Sequence, residues 1–185
     1  MPPLYRASPR LTFVVLAAAA AAFSLMQSLV TPVLPTIQHD LHTSGAAVTW
    51  VLTAWLLSAS VATPLMGRIG DMIGKDRTLL VALGAIALGC LVAALAPNVS
   101  VLIAARVIQG LGGAVFVVSF GIIRDEFPPA RVPAAVGALS AVIATGGGLG
   151  IVLAGPIVGA LSWRWLFWIP MVVVLVVAAL AVRYV

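Results

Sequence analysis

The chain has 185 residues, of which 63% are hydrophobic and 8% charged, against roughly 25% charged in a soluble domain. That composition excludes a water-soluble globule, and 17 glycines with 12 prolines spread through long apolar runs exclude a coiled coil or a disordered tail. The net charge of +5 comes from scattered basic residues without an aromatic-interleaved face, so no nucleic-acid partner is expected, and a single cysteine, Cys90, excludes an internal disulfide and a CxxC site.

A helix needs about 20 apolar residues to cross a hydrocarbon core about 30 Å thick. The apolar runs therefore predict an all-α membrane protein with six transmembrane helices and almost nothing left for a soluble domain. The first, residues 11–35, follows Arg6 and Arg10 and is too long for the apolar region of a cleaved signal. A polar break with His39, Asp40 and His42 ends in Ser44, a predicted N-cap for the second helix at 46–67. A charged, glycine-rich break at 68–77 precedes the third helix, 78–96, in which Cys90 reads as a small buried hydrophobe. The fourth, 101–123, follows a bare turn, and the fifth, 132–161, exceeds the length of a span and holds Pro133 and Pro156, which predicts a tilt or kink. The sixth runs over 165–182. Trp50, Trp163, Trp165 and Trp168 fall at one predicted interface as an aromatic belt.

Eight of the ten basic residues, Arg6, Arg10, Arg68, Lys75, Arg77, Arg124, Arg131 and Arg183, fall on the side of the N-terminus, which predicts a cell-membrane protein with both termini cytoplasmic. Arg164 falls on the other side, and Arg106 lies about 9 Å inside the fourth helix at a rise of 1.5 Å per residue. An arginine in the bilayer costs at least ~2.5 kcal/mol on insertion scales, so a cavity-facing role is its default reading. Gln27 lies at a similar depth on the first helix and is expected to share a hydrogen bond with Arg106, while Trp55 is placed to stack on an aromatic or cationic solute.

Three patterns stand in order on these helices. The break after the second helix carries Gly67, Asp71, Gly74 and Lys75, with Asp71 and Lys75 spaced for an ion pair and Asp125 as an alternative partner for Lys75. The fourth helix carries Arg106, Gln109 and Gly110; the fifth carries the small-residue pairs Gly146/Gly150 and Gly155/Gly159 around Pro156. Together they resemble the major facilitator superfamily, and within it the multidrug/proton antiporters, with the fourteen-helix type as one possibility. The loop resembles the family's G-x-x-x-D-(R/K)-x-G-(R/K)-(R/K), departing at Met72 and Asp76; the others resemble R-x-x-Q-G and a glycine, eight residues, then G-P-x-x-G-G, with Ala160 in place of the last glycine.

The resemblance covers residues 1–185 as the N-terminal six-helix half of such a transporter, two three-helix repeats, with the C-terminal half absent. It implies a proton-coupled exporter of drugs or amphipathic metabolites working by alternating access, with the lipid bilayer, a small-molecule substrate and protons as partners, no cofactor, no metal and no enzymatic activity. It also implies that Asp71 latches the N-terminus of a helix in the other half. The antiporter pattern on the first helix, L-D-x-T-(I/V)-V-N-x-A-L-P, is matched over residues 25–35 with Met26 in the place of the acid, and all five acids, Asp40, Asp71, Asp76, Asp125 and Glu126, lie in or beside breaks. Coupling must then rest on the missing half, on His39 or His42, or on another ion. Alternatives are a truncated, non-transporting membrane module and a half-size transporter acting as a homodimer, in which Asp71 faces residues 132–133 of a second copy. An intramembrane serine protease lacks a nucleophile turn here.

Overall fold

The computed structural model describes residues 9–185, so Arg6 lies outside the described residues. Every regular element among them is helical. Six helices are long and apolar enough to cross a membrane: α1 (Pro9–Asp40), α2 (Gly45–Ile73), α3 (Lys75–Ala94), α4 (Val99–Glu126), α5 (Val132–Ala160) and α6 (Trp165–Tyr184).

Two breaks are shorter than the polarity of the chain suggests. In α1 a 3₁₀ turn over Thr31–Val33 carries Pro32, and the helix resumes at Leu34 and runs to Asp40. Pro32 and Pro35 each sit in the first turn of a new helical stretch, where the missing N–H has no partner to lose. Between α2 and α3 the charged segment remains helical up to Ile73, and Gly74 alone makes the turn with φ +107°. An L side chain is strained in that conformation and glycine is not. Charge by itself does not break a helix; it only stops the helix from entering lipid.

The start signals work as their chemistry requires. Ser44 Oγ accepts from the Ala47 N–H at 3.2 Å and opens α2, and Asn98 Oδ1 accepts from the Val101 N–H at 3.0 Å and opens α4. Pro133 stands in the first turn of α5, whereas Pro156 lies inside it. In mid-course α4 tightens into a 3₁₀ turn at Leu111–Gly113.

α1 is the centre of the bundle, packing most extensively on α5 and also on α6; α2 packs on the first part of α4, and α3 on α6 and α4. Leu16, Phe23, Met26, Leu29, Ile86, Leu102 and Phe167 fill the core. α5 is the least enclosed helix, with 17% of its most apolar window buried against 56% for α1. Leu56, Val61, Leu65, Val152 and Val172 project outward. An apolar exterior around helices that are also apolar inside requires a hydrocarbon solvent.

Candidate functional site

Arg106 is fully buried on α4, where α2 and α3 pack on it and on Gln109. Its Nε donates to the Val51 carbonyl at 3.1 Å and its Nη1 to Gln109 Oε1 at 2.7 Å, one helical turn away on the same helix. Gln109 Nε2 donates in turn to Cys90 Sγ at 3.4 Å on α3, and the Cys90 thiol to Met26 Sδ at 3.4 Å on α1. The chain of donors thus crosses three helices and ends on the residue that occupies the acid's place in the first-helix pattern. Gln27 is half-buried, and its expected bond to Arg106 is replaced by those to Val51 and Gln109. The physical reason is preorganisation: Gln109 stands one turn away on the same helix and the Val51 carbonyl is fixed backbone, so both cost less ordering than a flexible side chain on another helix.

Arg106 Nη2 has no acceptor, and neither has the indole N–H of Trp55. The guanidinium carbon lies 5.3 Å from the Trp55 ring centre, within cation–π range. Trp55 also meets Phe23 at 6.0 Å, and Phe23 meets Phe116 edge-on at 5.2 Å. Gly110 makes the crossing of α2 and α4 possible: a Cβ there would lie 2.5 Å from Ser58 and 2.9 Å from the Ala59 nitrogen. The same crossing is tied by Ser58 Oγ donating to the Val107 carbonyl at 2.6 Å.

At the basic end, Lys75 Nζ bonds Asp125 Oδ2 at 2.5 Å and stands 3.7 Å from Asp71 Oδ1. Both expected partners are therefore present, and the one four residues away is the farther. The Lys75 stem runs over Gly121, where a Cβ would come within 2.8 Å of Cε; the signal for Gly121 in the sequence was its place four residues before Asp125. Asp71 itself is 71% exposed. A cleft lined by Gly67, Asp71, Lys75 and Arg124 opens between α2 and α4. Gly67 and Gly70 sit where α2 meets Val117 and Thr78 closely.

Two glycine pairs of α5 have different surroundings. Gly146 and Gly150 lie against the backbone of α1, where added Cβ atoms would stand 3.1 Å from the Ala21 carbonyl oxygen and 2.6 Å from that of Leu25. Ser24 Oγ donates to the Ile143 carbonyl at 2.7 Å in the same seam. Gly155 and Gly159 have no atom within 4 Å of such a Cβ among the described residues, and Pro156 beside them is exposed.

The description "Major Facilitator Superfamily" belongs to the family model that matches residues 16–185. The chain belongs to this superfamily. An MFS-type transporter of Aspergillus terreus is 36% identical over 147 residues, covering 79% of this chain and 27% of the relative. The tetracenomycin C resistance and export protein of Streptomyces glaucescens is 32% identical over 165 residues, covering 89% and 31%. The solved structure of the proton:xylose symporter XylE matches with a TM-score of 0.82 at 16% identity, over 94% of this chain and 44% of that one, a likeness of fold. The chain thus spans less than a third of these two relatives and under half of the symporter.

As a major facilitator chain with six such helices it is a multi-pass membrane protein. One device at the end opposite Lys75 escaped the sequence reading. Trp163, expected in the aromatic belt, is buried and donates its indole N–H to Asp40 Oδ2 at 2.9 Å, while Arg164 stacks over the Trp163 ring at 4.5 Å and donates to the Ala96 carbonyl at 3.1 Å. A belt residue needs an unoccupied polar tip, and here Asp40 on the extended end of α1 takes it.

Proposed function

We propose that the chain is the N-terminal six-helix half of a secondary exporter of drugs or amphipathic metabolites, in the cell membrane with both termini cytoplasmic, working by alternating access. The observation that carries this reading is the split of α5: one glycine pair is used up on α1, and the Gly155-Pro156-Gly159 face is left for a surface outside these residues. Alternating access needs two repeats rocking about a midplane site, and that face together with Asp71 supplies contacts for the second. The export function named for the Streptomyces relative supports the direction of transport.

In this reading Asp71 is the cytoplasmic latch. Lys75 is committed first to Asp125, so Asp71 keeps a largely exposed carboxylate for a helix N-terminus, where a carboxylate gains typically 0.3–1 kcal/mol and more when partly buried. Arg106, Gln109 and Gly110 form the cavity-side core of the coupling machinery with Trp55, and Gln27 lines the cavity. Protons drive the exchange, and the carboxylate that carries them lies beyond this chain, since every acid among the described residues stands near a helix end. Asp71→Asn keeps shape and removes the charge. In the intact two-half transporter, uptake of a fluorescent drug into everted vesicles should fall to background with the variant inserted at wild-type level; undiminished uptake removes the latch.

A further inference from the structure

Arg106 is the one charged side chain fully buried among the described residues, and they hold no counter-ion for it. Asp40 is held by Trp163 at one end of the bundle, Asp71 and Asp125 by Lys75 at the other, and Asp76 and Glu126 are exposed at the start of α3 and the end of α4. The acceptors that Arg106 does have, the Val51 carbonyl and the Gln109 amide, are neutral. Met26, standing where the antiporter pattern has an acid, is engaged by the Cys90 thiol. No acid therefore balances the buried guanidinium, which stands beside two unfilled donors, its own Nη2 and the Trp55 indole N–H, on side chains in cation–π contact. A charged donor fork next to a second N–H is the complement of a planar anion with at least two acceptor oxygens, and the low polarity around it strengthens that pairing.

We propose that Arg106 and Trp55 bind the anionic group of an aromatic organic acid, so that the transported solute supplies the counter-charge this half lacks. The rings of Trp55 and Phe116, each against Phe23, provide the apolar wall for such a solute. Arg106 is fully buried and Trp55 5% exposed, so this conformation encloses the site; the solute enters when α2 shifts against α4 in another state of the cycle. The inference deepens the exporter reading, on which it rests, by naming a substrate class.

The protein, expressed as encoded and held in nanodiscs, is titrated calorimetrically with benzoate, benzamide, benzylammonium and sodium chloride. Benzoate is expected to bind saturably, and benzamide and benzylammonium not to bind. Arg106→Gln should weaken benzoate roughly tenfold to a hundredfold, the range for a lost charge-assisted bond. Trp55→Phe keeps the ring, loses the N–H and should weaken it roughly tenfold or more, as for one hydrogen bond to a carboxylate. Gln109→Glu supplies an internal counter-charge against Nη1, so it should abolish benzoate binding without lowering the melting temperature, which separates the site from a folding defect. Absence of benzoate binding, equal binding of benzamide, unchanged affinity in Arg106→Gln and Gln109→Glu, or a site filled by chloride alone each overturns the proposal. A protein that moves cationic dyes in vesicles and ignores benzoate fails this inference alone; one that binds benzoate through Arg106 and moves no solute fails the exporter reading.

Discussion

Gln109 is the residue on which the buried polar chain turns. It accepts from Arg106 and donates to Cys90, and both of its contacts are buried. Replacing it with leucine keeps the volume and leaves Arg106 Nη1 and the Cys90 sulfur without that partner. Each buried group stripped of its partner costs about 1–3 kcal/mol. Gln109→Leu should therefore melt well below wild type in detergent, and an unchanged melting curve shows that the network contributes nothing to the fold. Arg106 and Gln109 stood out in the sequence because a charge and an amide inside an apolar run are expensive. The bond between Cys90 and Met26 did not, because a thiol and a thioether read as ordinary core hydrophobes until their partners are known.

At the scale of elements, the seam between α1 and α5 depends on backbone approach rather than on side-chain volume. Gly150 lies close enough to Leu25 that a Cβ would stand 2.6 Å from its carbonyl oxygen, whereas the same atom at Gly148 meets nothing within 4 Å. Overpacking a tight site costs typically 1–3 kcal/mol, and here the obstacle is backbone that cannot rotate away. Gly150→Leu should lower the melting temperature sharply and Gly148→Leu should leave it unchanged. Equal melting of the two variants removes the close seam. The spacing of four between Gly146 and Gly150 was visible in the sequence, but Gly155 and Gly159 have the same spacing. Only the rotation of α5 about its axis assigns the first pair to α1 and leaves the second without a neighbour. The single-residue turn at Gly74 was hidden for a related reason: the charges around it marked a membrane boundary, and a boundary is compatible with an unbroken helix.

For the whole molecule, the contrast between an enclosed α1 and an open α5 separates stability from activity. Substitutions on the open Gly155-Pro156-Gly159 face should spare the fold of this bundle and act on whatever the face meets. Gly155→Leu is expected to insert and melt like wild type and to lose transport in everted vesicles. A destabilised Gly155→Leu bundle places that glycine inside the six-helix unit, and wild-type transport removes it from the transport cycle.

The number and order of the spans, the membrane as solvent and the three family patterns were determined by the sequence alone, because the length of an apolar run and the spacing of residues along it are local quantities. Helix faces and side-chain partners were decided by the tertiary structure. In water an amphipathic stripe announces which face of a helix is buried, but here the lipid is as apolar as the core, and that stripe disappears. What remains to distinguish inside from outside is close packing and hydrogen bonding between helices far apart in the chain, such as Ser24 with Ile143, Lys75 with Asp125 and Trp163 with Asp40. Those pairings exist only once the bundle has closed.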